Sequence, residues 1–120
     1  MRLLWQFLSG KDPGMADDPM WCVVMFDLPT KTKQERREYQ AFRNMLLDNG
    51  FVRTQYSIYA KFSPSGVLSQ RTIKAIKVAV PPAGEIRILH VSDKQWASTI
   101  RFYNAVEEIS KEKPDQLSLF

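Results

Sequence analysis

Residues Trp21 to Pro29 form an apolar run whose single charged member is Asp27. The run is rich in β-branched and aromatic residues, is too short for an independent helix and is closed by a proline. These features predict a strand buried on both faces. Asp27 then lies at the carboxyl end of the strand, where open α/β sheets place their chemistry. A carboxylate at this position is most often a turn or cap residue, so its function depends on the surrounding sequence.

The segment after this strand predicts a helix and then a divided strand. Lys33 to Asn49 is amphipathic, with a basic outer face, and either Thr30 or Thr32 offers an N-cap hydroxyl. Phe51 to Phe62 alternates in the manner of a strand, but an average strand has roughly five or six residues. We therefore expect a kink, bulge or reversal near Thr54–Ser57 that gives two strands.

The remaining periodic segments complete an α+β pattern. A second helix is predicted over Val67–Val80, with Val80 among its inward residues, and a strand over Glu85–Val91. Ser92 to Gln95 can cap a single helical turn, and Thr99–Asn104 is a candidate short strand. This order predicts a ferredoxin-like βαββαβ antiparallel sheet with both helices on one face and an appended C-terminal strand.

The composition of the two ends indicates three parts of the chain. Residues 20–104 are predicted to form the domain, and residues 1–19 an N-terminal tail that is disordered or foreign to the natural protein. Residues 105–120 are predicted to be a charged linker from Glu107 followed by a docking strand, Leu117–Phe120, that adds to a sheet edge. The apolar stretch near the N-terminus is too short to span a membrane, so no membrane association is expected.

Charge and metal-ligating residues limit the chemistry. The chain has 17 Lys and Arg against 13 Asp and Glu, a net charge of +4 that favours a polyanionic partner such as nucleic acid. One cysteine and one histidine exclude a disulfide framework and the usual zinc sites, and they indicate the reducing cytoplasm. Oxygen ligands remain, which predicts that any metal is Mg²⁺ or Mn²⁺.

Asp27 is the candidate catalytic and metal-binding residue. The sheet face opposite the helices must be covered, and a symmetric second copy is the simplest cover, so we expect a homodimer. Two Asp27 carboxylates related by a two-fold axis could then hold an ion that activates water beside a phosphodiester. The alternative is that both carboxylates are simply solvated near the interface.

The basic residues that follow Asp27 are the candidate nucleic-acid-binding residues. They are Lys31, Lys33, Arg36 and Arg37, and their spacing suits contacts to a phosphate backbone that position a duplex without reading its sequence. The alternative is an ordinary solvated helix face.

Several other polar or aromatic residues are predicted to have structural roles. Tyr56 and Tyr59 lie in a strand without the RNA-binding signature of an RRM, so we expect packing in the core or an interface rather than base stacking. Ser57 and His90 have no accompanying catalytic motif and are also expected to be structural.

Taken in order, these segments resemble the CRISPR-associated Cas-two family over residues 20–120. The combination of segments carries the resemblance, since each one alone is a weak signal. The residues concerned are the strand end Phe26–Pro29, the basic helix closed by Asn49–Phe51, the strand Gln55–Tyr59, the turn Ser92–Gln95 and, as in the form from type II-like systems, the terminal Gln116–Phe120.

The resemblance implies a ferredoxin-like homodimer in spacer acquisition that supports double-stranded DNA for the Cas-one integrase. It also implies a metal-dependent endonuclease of RNA or DNA, with Asp27 as the metal site and water as the nucleophile. Three hypotheses follow: a non-catalytic adaptor, a Mg²⁺-dependent phosphodiesterase, and a ferredoxin-like regulatory module that binds RNA or a small ligand. We favour the adaptor, with nuclease activity as a conditional property of the dimer.

Overall fold

The computed structural model describes residues 18–66 and 68–108. The predictions for residues 1–17, for Val67 and for 109–120, including the docking strand, lie outside these residues. The described elements are β1 (Met20–Asp27), α1 (Lys33–Asp48), β2 (Val52–Gln55), β3 (Ile58–Ser63), α2 (Gln70–Ala79), β4 (Glu85–Ser92), α3 (Asp93–Ala97), β5 (Arg101–Tyr103) and β6 (Val106–Glu108).

The described residues form an antiparallel four-stranded sheet in the order β2-β3-β1-β4. With α1 between β1 and β2, and α2 between β3 and β4, this is the ferredoxin-like βαββαβ arrangement that the sequence predicts. The α+β fold class is therefore confirmed. Strand β1 occupies a central position in the sheet, which explains why its residues are almost all buried.

One face of β1 packs against both long helices. Alternate residues of β1, including Val24 and Phe26, join the same buried cluster as Phe42 and Leu46 of α1 and Ile76 of α2. The strand period of two and the helix spacing of four residues place these side chains on facing surfaces. The cluster is the main hydrophobic core, and it fixes where β1 ends relative to the start of α1.

Helix α1 has strong signals at both ends. Its N-cap is Thr32, whose hydroxyl accepts a hydrogen bond from the Glu35 amide, while the Glu35 side chain bonds back to the Thr32 amide. This is a capping box, in which two otherwise unpaired amides are satisfied. After the helix, Gly50 has a φ of +86°, and the Phe51 amide donates to the carbonyl of Leu46.

The predicted division of the strand after α1 is confirmed. Strands β2 and β3 form a hairpin with a register shift between Arg53 and Gln55, and Ser57 in the tight turn has a φ of +62°. Tyr59 is buried as expected. Tyr56 is not in the core: the turn carries it outward, and 70% of its surface is exposed.

Helix α2 is shorter than predicted. Its N-cap is Ser69, whose hydroxyl accepts from the Thr72 amide, so the helix begins at Gln70 rather than Val67. Ile76 is buried as predicted, but the inward assignment of Val80 is wrong. The helix ends before Val80, whose extended backbone turns its side chain to the surface, where it is 48% exposed.

The described chain divides into two compact units. One contains Cys22–Lys61 and Leu68–Leu89, and it holds the core described above; the other contains residues 18–21, 62–66 and 90–108. In the second unit Trp21 stacks on Trp96 at 5.0 Å, and its indole nitrogen donates to Asp93 at 2.9 Å.

The second unit also contains an antiparallel hairpin of β5 and β6. The short strand predicted within Thr99–Asn104 is present as β5, and Arg101 pairs with Glu108 of β6 at 2.7 Å. Glu107, which the sequence predicts as the start of a linker, therefore lies in a strand. No helix within the described ranges is long and apolar enough to cross a membrane.

Candidate functional site

Asp27 lies at the end of β1, in the strand-end position that the sequence predicts, and it is exposed. It borders an open depression of about 270 Å³ on the surface of the first unit. The amide of Phe26 donates to the carbonyl of Ser57 at 3.1 Å, which fixes the strand end beside the β2–β3 turn. The other residues that border the depression are Met25, Tyr56, Ile58, Glu85 and Arg87.

The carboxylate of Asp27 is available to a ligand. Within residues 18–66 and 68–108 it forms no ion pair and no side-chain hydrogen bond, whereas the neighbouring Glu85 is paired with Arg87 at 3.3 Å. The same ranges contain no cluster of three or more His, Cys, Asp or Glu side chains suited to a metal. Among the described residues that border the depression, Asp27 is thus the one unpaired carboxylate, and it suits Mg²⁺ only where waters and substrate phosphates supply most of the ligands.

A glycine on the turn before β4 approaches the backbone of this site. A Cβ atom on Gly84 would lie 2.6 Å from the carbonyl oxygen of Asp27 and 2.7 Å from the side chain of Leu28. Gly84 also has a φ of +100°, which other residues rarely adopt. The turn and the strand end can pack this closely because residue 84 has no side chain.

The loop between Asp27 and α1 is held by side chains of the first helical turns. The Glu35 carboxylate accepts hydrogen bonds from the amides of Thr32, at 2.9 Å, and Lys31, at 3.0 Å. Both bonds lower the pKa of Glu35, and the bond from the Thr32 amide has the larger effect. Arg36 donates to the carbonyls of Thr30 and Lys31 at 3.1 and 2.9 Å. The position of Lys31 is therefore fixed by α1.

The four predicted nucleic-acid-binding residues are all exposed. The structure brings together Lys33, Arg36 and Arg37, which border one shallow surface of about 470 Å³ on α1, while Lys31 lies in the preceding loop. Arg36 has two roles: it borders this surface, and its guanidinium also donates hydrogen bonds to the carbonyls of the preceding loop. The predicted basic residues are thus exposed on the loop and the helix that follow β1 in the chain.

Two further arginines were missed by the sequence analysis. Arg43 and Arg53 border an open pocket of about 510 Å³ together with Arg36 and Tyr56. Arg43 follows Arg36 by seven residues, two helical turns, so periodicity along α1 could have identified it. Arg53 belongs to β2, and no sequence signal places it beside α1.

These features define an α+β protein of ferredoxin-like topology, with an exposed aspartate at the end of its first strand and a basic helix surface after it. Residues 20–99 match the family described as CRISPR associated protein Cas2. The chain belongs to this family, and the resemblance to the Cas-two family is confirmed.

Three relatives illustrate the match, and each is named CRISPR-associated endoribonuclease Cas2. The chain is 40% identical to that of Paracidovorax avenae over 101 residues, which are 84% of this chain and 94% of the relative. It is 36% identical to that of Parvibaculum lavamentivorans, covering 84% of this chain and all of the relative. The protein of Flavobacterium psychrophilum is 38% identical, with 84% of this chain and 88% of the relative covered.

Proposed function

We propose that this chain is an adaptor of CRISPR adaptation that binds the phosphate backbone of duplex DNA and holds it for the Cas-one integrase. The residues that make the backbone contacts are Lys31, Lys33, Arg36 and Arg37. The observation that carries the proposal is that none of these four side chains pairs with a carboxylate within the described residues. Their charge is therefore available to phosphates.

Rigidity of the basic surface supports the same role. Lys33, Arg36 and Arg37 project from the first two turns of α1, and Glu35 and Arg36 hold Lys31 in the preceding loop. Because the backbone that carries these residues is already ordered, the conformational entropy lost on binding DNA comes mainly from the side chains. Contacts of this kind position a duplex and carry no base information, which suits a protein that handles spacers of many sequences.

The adaptor is proposed to act as a homodimer. Ile88 and Leu89 of the edge strand β4 are 38% and 48% exposed, and a second copy that covers such apolar residues would be stabilised by the hydrophobic effect. A dimer would also present two basic surfaces to one duplex. Each copy would then contribute its own phosphate contacts.

A second candidate activity, cleavage of RNA or DNA, is favoured by the name of the relatives and by the free carboxylate of Asp27. Asp27 would hold Mg²⁺ or Mn²⁺, which when bound lowers the pKa of water and neutralises phosphate charge. Lys31 and Lys33 would orient the phosphodiester beside it. Glu85, the other carboxylate that borders the depression, is paired with Arg87, so no second unpaired carboxylate of the described residues lines it to act as a general base, and we propose that cleavage is slow and secondary to the adaptor role.

The salt dependence of duplex binding tests the adaptor. Removal of one phosphate-binding side chain lowers the slope of log affinity against log salt by about 0.9. The triple variant Lys31→Gln, Lys33→Gln and Arg37→Gln, which keeps the structural Arg36, should lower the slope by about 2.7 per subunit if each residue meets one phosphate. Fluorescence anisotropy with blunt duplexes of different sequence measures both the slope and the sequence preference.

The matched control neutralises three exposed residues on α2, namely Arg71, Lys74 and Lys77, and should change the slope by less than half as much. Asp27→Asn should leave duplex affinity and integrase-dependent spacer integration within about twofold, while abolishing any Mg²⁺-dependent cleavage by highly purified protein. Loss of integration in Asp27→Asn, or binding that depends on sequence and not on salt, would contradict the adaptor.

A further inference from the structure

The pocket missed by the sequence analysis lies between α1 and the β2–β3 hairpin, within the first unit. Its volume is about 510 Å³, inside the range of roughly 300 to 1,000 Å³ that is typical of small-molecule sites. None of the described residues that line it is acidic. They are Thr30, Arg36, Tyr39, Gln40, Arg43, Arg53, Tyr56 and Tyr59.

The cationic side of the pocket has unused hydrogen-bond donors. Within residues 18–66 and 68–108, the guanidinium groups of Arg43 and Arg53 form no ion pair and no hydrogen bond. The guanidinium of Arg36, in contrast, donates to two loop carbonyls. A guanidinium presents donors in a planar fork that matches two oxygens of a phosphate. The pocket is therefore suited to an anion with several oxygens.

The aromatic side of the pocket is formed by Tyr56, an exposed ring that packs against a second tyrosine. Tyr56 stacks on Tyr39 with the ring centroids 6.1 Å apart and an angle of 26° between the planes. Tyr39 is itself held by a 2.9 Å hydrogen bond between its hydroxyl and that of Ser57. Because Tyr56 is 70% exposed, its ring still offers area to a planar ligand. The neighbouring Tyr39 hydroxyl raises the pKa of Tyr56.

We propose that this pocket binds one unpaired nucleotide, with its phosphate on Arg43 and Arg53 and its base stacked on Tyr56. The combination of free guanidinium groups and an exposed aromatic ring is what single-stranded nucleic acids require, since every base has a face that can stack. The site shares only Arg36 with the proposed duplex surface, because Lys31, Lys33 and Arg37 do not line it.

The same chemistry is found in a free mononucleotide and in the unpaired terminal nucleotide of a DNA strand. A pocket open to solvent admits either. A terminal nucleotide is joined to the rest of its strand only through its sugar and phosphate, and this connection can leave the pocket on the solvent side. The two sources are separated by comparing a free nucleotide with a duplex that carries a one-nucleotide overhang.

Calorimetric titration of the full chain tests the inference with adenosine 5′-monophosphate, adenosine and inorganic phosphate. Adenosine 5′-monophosphate should bind at least tenfold more tightly than either fragment, because only it engages both sides of the pocket. Tyr56→Ala should weaken this binding about tenfold, Tyr56→Phe by less than threefold, and Arg43→Gln or Arg53→Gln about fivefold or more. The midpoint of thermal unfolding checks that each variant is folded.

Two matched controls lie outside the pocket. Tyr103→Ala removes a tyrosine that is 57% exposed in the other unit, and Arg71→Gln removes an exposed arginine on α2. Neither should change nucleotide affinity by more than twofold. If adenosine 5′-monophosphate binds no more tightly than inorganic phosphate, or if Tyr56→Ala behaves like Tyr103→Ala in a folded protein, the inference is wrong.

A duplex with a one-nucleotide overhang then identifies the source. A preference for the overhang over a blunt duplex that disappears in Tyr56→Ala assigns the site to strand ends. Equal binding of both duplexes, with the mononucleotide binding retained, assigns it to free nucleotides. The mononucleotide measurement requires neither duplex binding nor the integrase, so failure of the proposed adaptor function would be recognised separately.

Discussion

Aromatic side chains occur in both units of this chain, but in different surroundings. In the first unit Phe26 contacts the rings of Tyr39, Phe42 and Tyr59, with centroids 5.1 to 5.8 Å apart. In the hairpin of the second unit, Phe102 and Tyr103 are 65% and 57% exposed. The core rings therefore find their partners within one chain, whereas the hairpin rings remain largely in contact with solvent.

This difference shows which interactions stabilise the first unit and which specify the hairpin. Burial of large apolar side chains from β1, α1 and β3 stabilises the first unit. The hairpin is instead specified by strand pairing and by the Arg101–Glu108 ion pair, with Asn104 and Ala105 at positive φ in its turn. Truncating an aromatic residue should consequently have very different effects in the two regions.

The largest effect is expected for Phe42→Ala. Phe42 of α1 is completely buried against β1, so its truncation leaves a cavity and should lower the free energy of unfolding by about 3–5 kcal/mol. Phe102→Ala is the matched control in the hairpin and should change it by less than about 0.5 kcal/mol. Urea denaturation measures both. Equal effects of the two substitutions would contradict the comparison.

A smaller effect is expected at the start of α1. Thr32→Ala removes the hydroxyl of the capping box and should lower the free energy of unfolding by about 1 kcal/mol. Thr30→Ala is the control, because Thr30 accepts from Arg36 through its backbone carbonyl, which the substitution retains. A thermal or urea series compares the two variants, and a greater decrease in Thr30→Ala would show that the N-cap lies elsewhere.

The smallest effect is expected at His90 in the second unit. Burial lowers the pKa of His90, and its Nε2 atom has no hydrogen-bond partner within the described residues. The unfolded chain then binds the proton more readily, so this contribution to stability is present above the ordinary pKa of 6.5 and is lost as the pH falls through the folded pKa. His90→Gln should show a smaller decrease in thermal midpoint between pH 8 and pH 5.5, and an unchanged decrease would exclude His90 as its source.

Elements with strong local signals can be predicted from the sequence. The apolar run predicts strand β1, and a threonine cap at Thr30 or Thr32, together with Asn49 after the helix, predicts α1; the structure selects Thr32 as the cap. The strand-end position of Asp27 and the basic outer face of α1 follow from the same signals. Capping and apolar periodicity depend on residues close together in the chain, which is why these predictions agree with the structure.

Features that depend on tertiary contact cannot be predicted in this way. Strand β6 contains Glu107 and Glu108, whose charge suggests a linker, and it becomes a strand because Arg101 lies opposite Glu108. The pocket formed with Arg53 requires β2 to lie beside α1, which no local pattern indicates. The exposure of Tyr56 could not be predicted from the alternation, because it depends on the turn at Ser57, which changes the direction of the chain.

The close approach of Gly84 to Asp27 has a practical consequence for mutagenesis. Any substitution at residue 84 would force its Cβ against the carbonyl of Asp27 and the side chain of Leu28, and would shift the carboxylate although residue 84 carries no chemical group of its own. A mutational scan would therefore score residue 84 as essential for whatever Asp27 does. Loss of activity in such a variant reports displacement of the strand end, and libraries that vary the β4 turn should keep this glycine constant.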